Sequence, residues 1–147
     1  MKNKYYTYRR EHEDCYSLID HIDGFLQEFA HEYIEADEKN HTTFKQLIET
    51  IEQDQDMEEI QVTLILSTIY AIGSNIEEII SQLTRLRDCG VLVIDSSVDE
   101  MWYIFDNESH QDNETYLNII IDTLISLSKE KKRIRVGNQG VHSDQYL

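Results

Sequence analysis

No proline occurs anywhere in the 147 residues, so one of the usual markers of an element boundary is missing. Cysteine is nearly as scarce. Cys15 and Cys89 stand far apart, outside any CxxC or Cys/His spacing, so no disulfide framework or zinc site is indicated and a cytoplasmic chain with reduced thiols is expected. Long apolar runs are also absent. Stretches such as Val62–Leu66, with Thr63 inside it, fall far short of the ~18 residues a membrane-spanning helix needs, and no apolar segment follows the polar start Met1-Lys2-Asn3-Lys4. No membrane insertion is expected. Basic residues are few: 13 Lys and Arg face 29 Asp and Glu, a formal net charge of −16. Such a surface repels nucleic-acid phosphates instead of releasing their counterions. The deficit is uneven. Lys129, Lys131, Lys132, Arg133 and Arg135 cluster near the C-terminus, leaving eight basic against 27 acidic residues before Lys129, a net −19, with +3 after it. Direct DNA binding is therefore expected only through residues 129–135.

What is present is enough apolar material, 40% of residues, to pack the core of one domain. Tyr5-Tyr6-Thr7-Tyr8 reads as a strand, and Leu18, Ile19, Ile22, Phe25, Leu26 and Phe29 follow at helical spacing. A short β-prone stretch, Tyr33–Ala36, and a polar loop to Asn40 lead into a helix with Phe44, Leu47, Ile48 and Ile51 on one face, capped by Thr42 or Thr43. Val62–Leu66 has the branched apolar content of a strand at the centre of a parallel sheet, buried on both faces. After Gly73, Ser74-Asn75-Ile76-Glu77 has capping-box spacing with Ser74 as N-cap, and Ile76, Ile79, Ile80, Leu83 and Leu86 form the next helical stripe. Arg85 and Arg87 suit that helix's negative end, and Gly90 its left-handed exit. Val91–Ile94 is again a strand, so strand, helix and strand within about 35 residues form a right-handed βαβ unit. A strand or ordered loop is expected at Met101–Phe105. Leu117, Ile120, Ile121, Leu124 and Leu127 mark a last helix running to about Val136, before a flexible tail over residues 137–147. The expected fold is α/β: one domain over residues 1–136, with a mainly parallel central sheet of four to five strands flanked by helices and a long C-terminal helix.

Three segments carry a resemblance. Phe44–Ile51 followed by Val62–Leu66, then Ile69-Tyr70-Ala71-Ile72-Gly73-Ser74-Asn75 leading into Ile76–Ile79, and Leu86-Arg87-Asp88-Cys89-Gly90-Val91 before a strand are similar in order and spacing to the catalytic domain of serine recombinases of the resolvase/invertase type, and the likeness ends in the long helix Leu117–Val136 with its charged stretch Lys129–Arg135. The likeness covers most of residues 5–136. It implies a resolvase-like fold and, in a complete member, a serine shortly after the first strand that attacks a DNA phosphodiester while arginines stabilise the developing charge. This chain departs from that pattern. Tyr8-Arg9-Arg10-Glu11-His12-Glu13-Asp14 follows the first strand, with no serine before Ser17. Aligning Gly73 with the family glycine puts Tyr70, Ala71 and Ser74 where the family carries Asp, Arg and Arg. Loss of even one charge-stabilising donor typically costs about 100- to 1,000-fold in rate, so the expectation is no enzyme. Nothing after the last helix resembles the family's C-terminal DNA-binding region.

Other features admit two readings each. Arg9 and Arg10 are either remnants of a phosphate pocket or ion pairs with Glu11, Glu13 and Asp14. His12 with Glu13, or Glu28 with His31, Glu32 and Glu35, share helical faces, but no HExxH-type motif supports a metal, and neither metal nor cofactor is expected. Trp102 is an interface residue or a hydrophobic plug. The last helix is apolar over more than one stripe, Ile119 and Ile125 lying beyond it, so Leu117, Ile120, Ile121 and Leu124, with Lys129, Lys132 and Arg133, are candidate interaction residues. In the resembled family this helix makes the dimer, which implies a homo-oligomer or pairing with a related recombinase subunit. The reading is a non-catalytic, recombinase-like pseudoenzyme of a mobile element such as a phage or plasmid, acting as a regulatory or inhibitory protein-binding module on a host or mobile-element protein. The alternatives are an acidic DNA mimic that inhibits a host defence or DNA-processing protein, and a divergent recombinase whose nucleophile is Tyr6, Tyr8 or Tyr70.

Overall fold

The computed structural model describes residues 2–13, 30–98 and 110–145, and in the last helix the side chains of residues 111–133. Four strands form one sheet: β1 (Lys2–Arg10), β2 (His31–Glu35), β3 (Ile60–Leu66) and β4 (Leu92–Asp95). Their order is β2-β1-β3-β4 and every pairing is parallel, so β1 and β3 are the central strands. β1 is longer than Tyr5–Tyr8, because pairing with β3 from Lys2 and with β2 to Arg10 supplies ladder bonds to residues with no apolar signal. The helices are α1 (Thr42–Gln55), α2 (Ile76–Asp88) and α3 (His110–Gln145), with a short 3-10 helix at Ile69–Ile72. The expected helix around Leu18–Phe29 and the Met101–Phe105 element lie outside the described residues.

Side chains alternate across a strand. Tyr6 and Tyr8 of β1, Val62, Leu64 and Leu66 of β3 and Val93 of β4 enter one apolar cluster, which α1 closes with Phe44, Leu47, Ile48 and Ile51, α2 with Ile79, Leu83 and Leu86, and α3 with Leu117, Ile121 and Leu124. On the alternate positions Ile65 and Ile94 are buried as well, as a strand covered on both faces requires. The expected stripes of α1 and α2 are therefore the observed ones, with Ile76 and Ile80 partly buried at the margin.

Helix ends depart from expectation. The N-cap of α1 is His41, with left-handed backbone (φ 54°) and no side-chain cap, where Thr42 or Thr43 was expected. A distant carboxylate takes over the capping: Glu35 accepts the amides of Thr43 and Phe44, both at 3.0 Å. Asn75, not Ser74, caps α2, its Oδ1 accepting the Glu78 amide at 2.8 Å. Ser74 instead donates to the Lys39 carbonyl at 2.8 Å and lies 3.1 Å from His41 Nδ1, tying this turn to the start of α1. Gly90 takes the expected left-handed conformation, φ 81°. α3 begins at His110, well before Leu117, and continues to Gln145, beyond the end expected at about Val136, so residues read as a tail extend the helix. Its early start has a clear cause: the Asn113 side chain bonds both backbone groups of Val93 on edge strand β4, Oδ1 accepting from the amide at 3.1 Å and Nδ2 donating to the carbonyl at 2.6 Å.

Candidate functional site

In a parallel sheet the strand C-termini open on one edge, where ligands of α/β proteins gather. Register aligns Tyr8 with both Tyr33 and Leu66, Leu66 with Asp95, and Arg10 with Glu35. The strand ends are joined by polar bonds. The Ser67 amide donates to the Tyr8 carbonyl at 3.0 Å, the Ser96 amide to the Leu66 carbonyl at 2.9 Å, and Ser96 Oγ to the Ser67 carbonyl at 3.2 Å. Asp95 Oδ2 accepts the Ile69 amide at 3.1 Å and so anchors the 3-10 helix, while its Oδ1 accepts from the Ser97 amide and hydroxyl at 2.9 and 2.5 Å.

Glu35 is buried at this edge, 1% exposed. Besides the two α1 amides it accepts the Tyr8 hydroxyl at 2.6 Å and the Asp37 amide at 3.1 Å. Burial alone would raise its pKa, but these bonds, the Tyr8 hydroxyl foremost, outweigh burial and hold the carboxyl below its usual range. Burial and the Glu35 bond together push the Tyr8 phenol well above its ordinary value. The Ala71 carbonyl lies 3.1 Å from the same hydroxyl, so the 3-10 helix packs onto this pair.

Both β1 arginines are occupied. Arg10 grips Glu13 with two prongs, Nε to Oε1 at 2.9 Å and Nη2 to Oε2 at 2.6 Å. Ser67 Oγ adds a bond to the same Oε1 at 3.0 Å. The Arg10 side chain is the main reason the Glu13 carboxyl is depressed to about 2. Arg9 Nη1 donates to the Glu13 and Glu11 carbonyls at 2.8 and 3.1 Å, and its Nη2 lies 3.7 Å from Glu32. Of the positions aligned with the resembled family's signature, Tyr70 is 54% exposed, Ala71 is buried and Ser74 is held as described. The other described arginines pair elsewhere: Arg85 with Glu52, Arg87 with Asp88 and Asn118, and Arg133 with Glu130.

Two of the three candidate tyrosine nucleophiles are held as donors. Tyr8 serves Glu35, and Tyr6 donates to Asp54, with burial first and that bond second pushing its phenol up to about 12. For a metal the donors do not converge: His12 pairs with exposed Glu38 at 3.0 Å, Glu13 with Arg10, and among the described residues no three His, Cys, Asp or Glu side chains come together to hold an ion. Glu28 and Trp102 fall outside the described residues.

The residues singled out on α3 separate into two groups. Leu117, Ile121 and Leu124 are buried in the chain's own core and so are not available to a partner, whereas Ile120 is only partly buried. Leu127, expected in that stripe, is 51% exposed, and Ser128 is the buried residue instead, donating to Glu77 at 2.8 Å. Ile119, 60% exposed, and Leu127 are the outward apolar positions, while Lys129, Lys132 and Arg133 are exposed. Glu35, considered from the sequence only as a metal ligand, caps α1 instead, and the role of Asn113 was missed, since each acts on backbone groups outside its own element.

No family model matches the sequence, and no curated protein matches it. Among solved structures the chain is similar to a resolvase family site-specific recombinase from Streptococcus pneumoniae, at 16% identity and a TM-score of 0.60 over 97% of this chain and 98% of that one. The four-stranded parallel sheet, its helices and the long C-terminal helix are thus a resolvase-like α/β fold.

Proposed function

We propose that the chain is a serine-recombinase-related protein that does not cut DNA and acts by binding another protein through α3. The observation that carries this reading is the state of the strand ends. Phosphoryl transfer needs an activated hydroxyl and several guanidiniums converging on one phosphate. Here the Arg10 guanidinium is closed by Glu13, Arg9 is bonded to main-chain carbonyls, and the turn that would present further arginines carries Tyr70, Ala71 and Ser74. The Ser67 hydroxyl donates to Glu13, but Arg10 holds that carboxyl down at about 2, which leaves it a weak base for activating the serine.

For binding, α3 supplies the surface. Ile119 and Leu127 stand outside the core stripe, followed by the basic residues Lys129, Lys132 and Arg133 on a chain otherwise strongly acidic. A partner that covers the two apolar positions and offers carboxylates to the basic end fits this pattern, as does a second copy, whose own acidic body supplies them. Regulation of a mobile-element recombinase or a host protein is the role proposed for such a contact. Sedimentation of the wild type at tens of micromolar, alone and with a cognate recombinase, tests it against the double variant Ile119→Glu, Leu127→Glu. Association by the wild type, lost in the variant at unchanged helicity, is the expected result; a wild type monomeric under both conditions would sink the α3 interface.

A further inference from the structure

The Glu13 carboxylate sits inside a full set of donors. Two come from the Arg10 guanidinium, at 2.9 and 2.6 Å; the Arg10 backbone amide donates to Oε1 at 3.1 Å and Ser67 Oγ to the same oxygen at 3.0 Å. A planar two-pronged guanidinium, a main-chain amide and a hydroxyl from the residue just past the neighbouring strand, converging on one oxyanion, form an arrangement suited to an anion taken from solution. In this chain the anion arrives from three residues along the same backbone.

Two of these four donors, the Arg10 amide and Ser67, are positioned independently of Glu13. The Arg10 amide belongs to β1, in register with Glu35 of β2. Ser67 is fixed by the hydrogen bond its backbone N–H donates to the Tyr8 carbonyl and by the one its own carbonyl accepts from Ser96 Oγ. The pair is also open to water, the Arg10 and Glu13 side chains keeping 28% and 18% of their accessible surface, so a small ion can reach the guanidinium once the glutamate is gone. Tethering favours the resident carboxylate, since a group held this close acts at an effective concentration that a dilute external ion does not match.

We propose that Glu13 is an intramolecular occupant of an oxyanion-binding site built from Arg10 and Ser67, and that removing it uncovers a site for inorganic phosphate. The inference deepens the non-cutting reading and rests on it: the strand end keeps anion-binding donors and closes them with the chain's own carboxylate. Glu38 acts on Arg10 and Glu35 lies in register with it, so the surrounding field stays negative and the uncovered site binds in the millimolar range.

The test is a titration of the full-length, nitrogen-15-labelled protein with inorganic phosphate at constant ionic strength, following the Arg10 Nε–Hε signal. Glu13→Ala is expected to saturate with a millimolar Kd at least ten times tighter than the wild type, and the added Arg10→Ala substitution to abolish that binding, followed on the Ser67 amide. Glu13→Gln keeps the shape and one acceptor; it folds if alanine does not, and should bind between the two. Variants that shift no more than the wild type, or binding in Glu13→Ala that survives loss of Arg10, would overturn the proposal. A covalent DNA adduct formed by Glu13→Ala would contradict the non-cutting reading while leaving the oxyanion site standing, so the two failures are distinguishable.

Discussion

Glu35 does three jobs with one carboxylate: it caps α1, orients Tyr8 and holds the Asp37 turn. Its four donors leave no lone pair for a donor-bearing replacement. Glu35→Gln turns an amide nitrogen toward backbone N–H groups, and unfolding in urea should show a loss of about 2–3 kcal/mol, against about 1 kcal/mol for Tyr8→Phe, which removes one donor and leaves the capping intact. Equal small losses in both would show that the capping role is wrong. The pH dependence follows from the same bonds. Glu13 and Glu35 are depressed in the folded protein, Glu13 from 4.5 to about 2, so the unfolded chain takes up protons first as pH falls. Their stabilisation is complete above the ordinary glutamate range and is lost as pH drops through it toward the folded values. For Glu13 the part at stake is about 1 kcal/mol, because water reaches the pair. The urea midpoint of Glu13→Gln should therefore change less than that of the wild type between about pH 5 and 2.5.

At the scale of elements, the sequence was most informative where a periodic stripe and a packing surface coincide. Phe44, Leu47, Ile48 and Ile51 are all fully buried on α1, and Val62–Leu66 is the core of a central strand, because local spacing alone sets which face turns inward. Ends were less legible, since caps are set by whatever the fold brings near: Glu35 for α1, Asn75 in place of its neighbour Ser74 for α2. On α3, hydropathy favoured Leu127, but the helix turns Asn113, Leu117, Ile121, Leu124 and Ser128 inward, and two of those five are polar because they meet the Val93 backbone and Glu77. Asn113→Ala should leave both Val93 groups without that partner at a buried edge, costing about 2 kcal/mol and speeding exchange of the Val93 amide. Gly73 is a second sensitive point. A Cβ there would lie 3.0 Å from the Ile79 backbone nitrogen and 3.1 Å from Glu78, so Gly73→Ala should destabilise the start of α2 by about 1–3 kcal/mol, read from its thermal unfolding.

Across the whole molecule, the parallel sheet and long helix follow from the order of apolar segments, and the solved recombinase shares that fold at 16% identity. The strand-end chemistry was only half visible. The residues at the aligned positions, Tyr70, Ala71 and Ser74, and the local pairing of Arg10 with Glu13 can be read from the sequence, whereas the Ser67 bond to Glu13 depends on β1 and β3 ending side by side. Net charge separates the modes of binding: a contact through Ile119 and Leu127 should tolerate salt, while one made by the acidic body, as a DNA mimic would make, should weaken steeply between about 50 and 300 mM salt. The proposed function holds that this chain does not break a phosphodiester. Incubation of the full-length protein with supercoiled DNA, followed by denaturing separation and mass spectrometry, tests that claim most directly. The expected result is intact supercoiled DNA and no peptide carrying a nucleotide; a covalent adduct mapped to one residue, whether Tyr70 or a serine, would contradict it.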